Sequence, residues 1–175
     1  VVETYTIETP DITLVNPTKQ GYVFEGWTGG VVDGTSNDYI TEPNTEVVIA
    51  QGSIGDRVYT ANWVGDPKTP YTVEHYLEKL DGTYELADTD ELEGTTGGEV
   101  VAVRKQYTGY TFDENNVNNV LRGNVLPDGS LVLKVYYNRN LYTLRLIAGD
   151  NVNEVSMKEK TDIQVLQELS GKDIQ

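Results

Sequence analysis

A four-residue frame, Gly-Tyr-x-Phe, occurs twice in the chain, and the two copies hold both of its phenylalanines. The frame begins at Gly21 and again at Gly109. The glycine suits a turn or a close backbone approach, and alternation along a strand then puts the tyrosine and the phenylalanine on one face. Two large aromatic side chains can fill a core that is too small for many aliphatic residues. The frame therefore predicts a small β-rich unit that is used more than once.

Alternating apolar residues predict the strands of these units. In the segment DRVYTANW, Tyr59, Ala61 and Trp63 share one face, as in a half-buried strand. The Asp-Gly pair at 81–82 lies between two extended runs and is a strong hairpin signal. After the turn signal PDG, four alternate apolar residues predict a further strand: Leu131, Leu133, Val135 and Tyr137. The 12 tyrosines also favour strands over helices.

One segment has a helical pattern. From Thr161, the sequence TDIQVLQEL carries aliphatic residues at three-residue spacing, with Gln164 completing a capping box and Gly171 as a stop. We therefore expect one short helix near the C-terminus. The segment GEVVAVRKQY at 98–107 fits either a helical face or a strand, and both alternatives stay open. The expected fold class is mainly β with an α+β component.

Two features divide the chain. The segment GDPKTP at 65–70 combines prolines, a glycine and charges, as linkers do. A Tyr-Thr pair followed by an aliphatic residue recurs three times, at Tyr5, Tyr71 and Tyr142. We expect three units, at residues 1–66, 67–140 and 141–175. The first lacks an opening hairpin and the third is a truncated start, a hairpin plus the helix. Without an initiating methionine, the chain is expected to be part of a longer protein.

Composition excludes several classes of function. The net charge is −15, and residues 1–66 alone contain ten acidic and two basic residues. An acidic chain lacks the basic face that nucleic acids or anionic membranes require. With no cysteine, it can form neither a disulfide nor a thiolate zinc site. No apolar run is long enough to span a membrane. We expect a monomer without nucleic-acid partner or membrane insertion.

Several residues are weighed as sites. His75 is the single histidine, and without an evident nucleophile we expect a structural or solvent-exposed role. The run DENNVNN at 113–119 offers oxygen ligands for calcium, but it lacks the spacing of a calcium loop and also fits a solvated turn. Four acidic residues could serve a glycosidase or form a solvated face: Asp88, Asp90, Glu91 and Glu93.

The remaining candidates concern glycines and tyrosines. The Gly-Gly pairs at 29–30 and 97–98 are not followed by Lys-Ser/Thr, so they predict turns and not a phosphate loop. Three tyrosines either line an exposed patch for sugars or pair across the sheet: Tyr136, Tyr137 and Tyr142. On balance we predict no catalytic residue, no cofactor-binding residue and no metal ligand.

Two segments resemble known repeats. The segment ITLVNPTKQGYVFEGWTG, with the later IAQGSIGDRVYTANW, resembles the internalin-type B-repeat (the Listeria-Bacteroides repeat), and we assign residues 1–66 to it. The segment at 71–140, from YTVEHYLEKLDGTYELADTDELEGTTGG to LPDGSLVLKVYYNRN, resembles a MucBP-type repeat. The resemblance implies tandem small β-grasp-like modules in secreted or wall-anchored surface proteins of bacteria, with no catalytic residue to transfer.

The function implied by this resemblance is that of a non-catalytic stalk or spacer at the bacterial cell surface or cell wall, with weak adhesion to host glycoprotein or carbohydrate. Two alternatives stay open. One is a dedicated ligand-binding domain for carbohydrate or with dependence on calcium, and the other is the accessory domain of a secreted enzyme. An internal crosslink between lysine and asparagine, found in some surface modules, also stays open.

Overall fold

The computed structural model describes residues 3–32, 38–148 and 151–158. Within these ranges the chain forms thirteen β-strands. The chain divides into two compact units. Unit 1 comprises Val1–Thr69, Glu93–Gly98 and Val125–Gly129, and unit 2 comprises Pro70–Leu92, Glu99–Asn124 and Ser130–Gln175. The three domains predicted from the sequence stay a prediction.

Unit 1 is organised around an antiparallel sheet of three strands. Its five strands, in chain order, are β1 (Ile12–Thr13), β2 (Tyr22–Val31), β3 (Ile40–Asn44), β4 (Val48–Ile49) and β5 (Arg57–Gly65). Strand β2 lies between β3 and β5, and the short β1 pairs with β4. Burial alternates along the first residues of β5, as predicted for DRVYTANW. Of the linker predicted at 65–70, only residues 66–68 lie between strands, because β5 ends at Gly65 and the next strand begins at Thr69.

The first Gly-Tyr-x-Phe frame is a turn followed by a packed strand. Gly21 has a positive φ of 73°, and a Cβ at this position would lie 2.5 Å from backbone atoms of Pro127. Phe24 lies edge-on to both tryptophans, with ring centroids 5.4 Å from Trp27 and 5.3 Å from Trp63. Both tryptophans are half-buried. The frame thus provides the aromatic packing predicted from it.

Unit 2 contains a four-stranded sheet and two smaller pairs of strands. The further strands are β6 (Thr69–Glu78), β7 (Tyr84–Gly94), β8 (Glu99–Val101), β9 (Tyr110–Phe112), β10 (Arg122–Asn124), β11 (Val132–Arg139), β12 (Leu141–Ala148) and β13 (Asn151–Lys158). The order in the large sheet is β7-β6-β11-β9, with β6 and β11 parallel. The strands β8 and β10 pair antiparallel, as do β12 and β13.

The core of unit 2 lies between alternate residues of β6 and β11. Val73 pairs with Leu133, and His75 pairs with Val135. These four side chains are buried, together with Tyr137. The strand predicted after the PDG turn is β11, and the Asp-Gly turn at 81–82 separates β6 from β7 as predicted.

The expected α+β class with one short helix is wrong as far as the structure describes the chain, since all of its regular structure there is strand. Parallel strands are usually joined through a helix, but β6 and β11 are joined through β7 to β10. In the ambiguous segment at 98–107, Glu99–Val101 is the strand β8. The Ala102 N–H then bonds to the Leu121 carbonyl, so backbone pairing replaces helical bonds. The helix predicted from Thr161 lies outside the described residues.

Across the described ranges, no helix has the length and apolar character needed to cross a membrane.

Candidate functional site

The single histidine lies at the centre of a polar network in unit 2. The His75 side chain is fully buried on β6. Its Nδ1 lies 3.1 Å from the Tyr137 hydroxyl, and its Nε2 lies 3.2 Å from an Asp90 carboxylate oxygen. We call His75, Asp88, Asp90, Lys105 and Tyr137 the His75 network. Of the two roles predicted for this histidine, structural or solvent-exposed, its burial fits the structural one.

Lys105 joins the two aspartates of the network. Its Nζ lies 2.6 Å from Asp90 Oδ1 and also forms a close ion pair with Asp88. The hydrogen bond with Lys105 lowers the pKa of both aspartates, and the bonds to Asp88 and Asp90 raise the pKa of the lysine. All three groups are therefore charged at neutral pH.

The hydrogen-bond partners assign the direction of each bond. The Lys105 backbone N–H donates to the Tyr137 hydroxyl oxygen at 2.8 Å. In the neutral tautomer of His75 with its hydrogen on Nε2, the tyrosine O–H donates to Nδ1. Burial raises the pKa of Tyr137, which keeps that proton in place. The other ring nitrogen of His75 then carries the hydrogen and donates to ionised Asp90. Both ring nitrogens of His75 and the Tyr137 hydroxyl therefore have hydrogen-bond partners.

This geometry does not suit His75 as a general base. A histidine base must reach a substrate or a nucleophile that can attack one. The group on His75 Nδ1 is instead the phenol of Tyr137, which is buried and whose pKa burial raises. Asp90 and His75 orient each other as in a catalytic triad. The position of the nucleophile, however, is taken by the Tyr137 phenol, which is buried and has a raised pKa. The network holds β6, β7 and β11 together.

Tyr107 packs against the same network without joining it. Its ring centroid lies 5.0 Å from that of Tyr137 and 6.2 Å from that of His75. Its hydroxyl is buried and has no hydrogen-bond partner within the described part of the chain. Burial raises the pKa of this phenol.

The acidic run at 113–119 forms turns closed by its own side chains. Asp113 accepts a hydrogen bond from the Asn115 N–H at 3.1 Å, and Asn116 accepts one from the Asn118 N–H at 3.0 Å. The Asn119 amide donates to the Asp113 carbonyl at 2.7 Å. These contacts fit the solvated-turn alternative. No group of three or more potential metal ligands occurs among the residues that the structure describes.

The structure separates the three tyrosines that could have formed a sugar-binding patch. Tyr136 stacks on its cross-strand partner Tyr76 with ring centroids 4.7 Å apart, as the pairing alternative predicts. Tyr137 is buried in the network on the other face of β11, while Tyr142 is exposed on β12. The four acidic candidates fall into two pairs. Asp88 and Asp90 pair with Lys105, and Glu91 and Glu93 are exposed on β7. The Gly-Gly pair at 29–30 lies within β2, so the turn predicted there is wrong.

A groove of about 580 Å³ in unit 1 was not predicted from the sequence. It is lined by aromatic and aliphatic side chains and by Arg57, whose side chain is only 8% exposed. The guanidinium donates hydrogen bonds to the hydroxyls of Tyr5 and Tyr59, at 3.1 and 3.2 Å, and to Asp38 at 3.3 Å. The sequence contained a signal for this site. Arg57 lies two positions before Tyr59 and therefore shares its face of the strand DRVYTANW, and residues 1–66 contain one other basic residue.

Comparison with known proteins finds no matching family model, no matching curated protein and no matching solved structure. The resemblance to the B-repeat and to the MucBP repeat therefore stays a prediction from the sequence.

Proposed function

We propose that the chain is a non-catalytic module of a bacterial cell-surface protein, acting as a stalk or spacer with weak adhesion to host glycoprotein or carbohydrate. The observation that carries the non-catalytic part is that His75 makes its hydrogen bonds to residues inside the fold. Its histidine is 0% exposed and both ring nitrogens have partners within the fold, so the most reactive side chains of unit 2 are used to hold strands together.

The surface role is supported by the sequence. The segments quoted above resemble repeats of bacterial surface proteins. A net charge of −15 also favours solubility of the module in water. Unit 2 buries tyrosines in its core, and unit 1 adds a cluster of half-buried aromatic rings to buried aliphatic side chains, so apolar packing in both units takes the place of disulfides.

The non-catalytic part is tested with the purified chain and its His75→Gln variant. We expect neither protein to hydrolyse glycoside, ester or peptide substrates, while the variant unfolds at a lower urea concentration because the network has lost its centre. Hydrolysis by the parent chain that disappears in a variant with a native circular dichroism spectrum would overturn this part.

The surface part is tested in the bacterium that encodes the chain. Antibodies raised against the purified chain should label intact cells. Labelling that requires permeabilised cells would contradict the proposed location. Adhesion is measured separately, by binding of the purified chain to immobilised mucin-type glycoprotein with its deglycosylated form as the control. Equal binding to both forms would contradict glycan adhesion.

A dedicated ligand-binding domain is the second candidate, and the groove beside Arg57 is the specific observation that favours it.

A further inference from the structure

The groove in unit 1 combines mainly apolar walls with one buried cation and, at Glu3, one exposed carboxylate. Three aromatic side chains line it, those of Tyr5, Trp27 and Tyr59, together with the aliphatic Leu14 and Ile49. Its volume of about 580 Å³ is within the range of sites for small ligands. Tyr59 pairs across the ladder with Gly29, which carries no side chain. We call this site the Arg57 groove.

Arg57 is held in one orientation at this groove. Each of its three nitrogens donates a hydrogen bond, to Tyr5, Tyr59 and Asp38 respectively. A guanidinium has five N–H groups, so two remain for a ligand. Burial lowers the pKa of Arg57, but the hydrogen bonds to Tyr59, Tyr5 and Asp38 outweigh burial and raise it, so the group stays charged. A fixed and desolvated guanidinium is well suited to bind a carboxylate.

Two acidic residues lie at this site: Glu3, which lines the groove with an exposed side chain, and Asp38, which pairs with Arg57. The carboxylate of Asp38 is 64% exposed and lies 3.3 Å from one Arg57 nitrogen. Asp38 does not line the Arg57 groove but an adjoining depression of about 360 Å³, which shares Arg57 and Tyr59 with the groove. Exposed ion pairs are weak, so this pair does not remove the attraction of Arg57 for another anion. Lys19, the other basic residue of 1–66, lies against the Tyr22 ring at 4.0 Å and does not line the groove.

We propose that the Arg57 groove binds a carboxylate attached to a six-membered ring. The carboxylate bonds to Arg57, while the ring lies against the aromatic walls. Two kinds of molecule carry this chemistry: an acidic sugar such as a uronic acid, and a simple cyclic carboxylic acid. The proposal does not depend on the proposed spacer function, because it concerns a different unit from the His75 network and is tested by binding alone.

The test follows the indole N–H signal of Trp27 by nuclear magnetic resonance. This N–H donates to Asn16 at 3.1 Å beside the groove, and the indole of Trp63 serves as an internal control because Trp63 does not line it. The probes are D-glucuronate and cyclohexanecarboxylate, with D-glucose and cyclohexanecarboxamide as neutral counterparts. We expect a saturable shift of the Trp27 signal with a dissociation constant on the order of 1 mM, as is typical for an open site and a small ligand.

The probes separate the two sources. Binding of D-glucuronate with weaker binding of cyclohexanecarboxylate assigns the groove to acidic sugars, and the reverse order assigns it to cyclic acids. Equal shifts with the neutral counterparts would overturn the proposal, since Arg57 would then contribute nothing. No saturable shift with either carboxylate would also overturn it.

Variants test the anchor directly. Arg57→Gln should weaken carboxylate binding at least about tenfold, as expected for loss of a charge-assisted hydrogen bond, and Arg57→Lys should lose less. Lys19→Gln makes the same change in net charge outside the groove and should bind like the parent chain. Equal weakening by Arg57→Gln and Lys19→Gln would overturn the anchor.

A second pair of variants guards against misfolding of the arginine variants. Val15 lines the groove and is 87% exposed, so Val15→Trp should block the site with little effect on the core. Val117 is 94% exposed in unit 2, and Val117→Trp is the matched control. We expect only Val15→Trp to abolish the shift. Unchanged binding by Val15→Trp would place the ligand elsewhere and overturn the proposal.

Discussion

A single hydroxyl, that of Tyr137, satisfies two polar atoms in the interior of unit 2. It accepts a hydrogen bond from the Lys105 N–H and donates one to His75 Nδ1. The neighbouring hydroxyl of Tyr107 is also buried but has no partner among the described residues. The two tyrosines pack edge to face, so they share one apolar environment. They differ in the hydrogen bonding of their hydroxyls, so the two residues can be compared directly.

The first prediction concerns this pair. Tyr137→Phe leaves a buried histidine nitrogen and a backbone N–H without a partner, and should lower the free energy of unfolding by about 1–3 kcal/mol. Tyr107→Phe removes a hydroxyl that is buried without a partner, and should leave the stability unchanged or raise it. Urea unfolding of both variants and of the parent chain provides the measurement. Equal destabilisation by the two changes would mean that the Tyr137 hydrogen bonds do not stabilise the fold.

At the scale of elements, β2 is closely restricted by its neighbours. It lies in the middle of its sheet, and Gly29 pairs with Ile40 on one side and Tyr59 on the other. Gly29 has a φ of 123°, and a Cβ there would lie 2.0 Å from the Val58 carbonyl oxygen. By contrast, Gly52 has a φ of 85° with no atom near the place of a Cβ. Glycine is thus required at 29 by both backbone and space.

The second prediction compares these glycines. Gly29→Ala should cost about 3 kcal/mol or more, because strain at a position suited to glycine adds to a clash with backbone. Gly52→Ala should cost about 1–2 kcal/mol, the cost of a left-handed conformation alone. Thermal unfolding followed by circular dichroism measures both. A cost for Gly29→Ala no larger than for Gly52→Ala would contradict the close approach of β2 and β5.

The third prediction concerns the aromatic cluster of the same two strands. Trp63→Ala removes a ring that packs against Phe24, and we expect a loss of about 2–3 kcal/mol, below the usual 3–5 kcal/mol because Trp63 is only half-buried. Thr60→Ala, on the exposed face of β5, is the control. If the urea midpoint moves by the same amount in both variants, Trp63 does not contribute to the core.

At the scale of the whole molecule, the acidic charge makes stability depend on pH. Three aspartates have a lowered pKa: Asp81 through its hydrogen bonds with Thr83, and Asp88 and Asp90 through Lys105. The unfolded chain titrates these groups near pH 3.9. Because their pKa is lower in the folded state, they stabilise the fold above that pH, and their contribution disappears as the pH falls through the lowered values.

The fourth prediction follows from the direction of these pKa shifts. The parent chain should keep its stability from neutral pH down to about pH 4 and lose part of it below. A variant with both Asp88→Asn and Asp90→Asn should be less stable at neutral pH and lose less on acidification, because two of the three groups are gone. Urea midpoints of both proteins at pH 7 and pH 3 measure this difference. An equal loss in both would show that the Lys105 pairs do not contribute.

The sequence by itself determined the features that depend on neighbouring residues. Side-chain alternation predicted β5 and β11, and the Asp-Gly and Gly-Tyr-x-Phe signals predicted turns that the structure contains, because a strand's faces and a glycine's backbone freedom are local properties. The tertiary structure decided which strands pair and which polar atoms meet. His75 and Tyr137 are 62 positions apart, and Arg57 and Tyr5 are 52 apart. No local pattern encodes such contacts: the parallel pairing of β6 with β11 and the packing of unit 1 create the His75 network and the Arg57 groove.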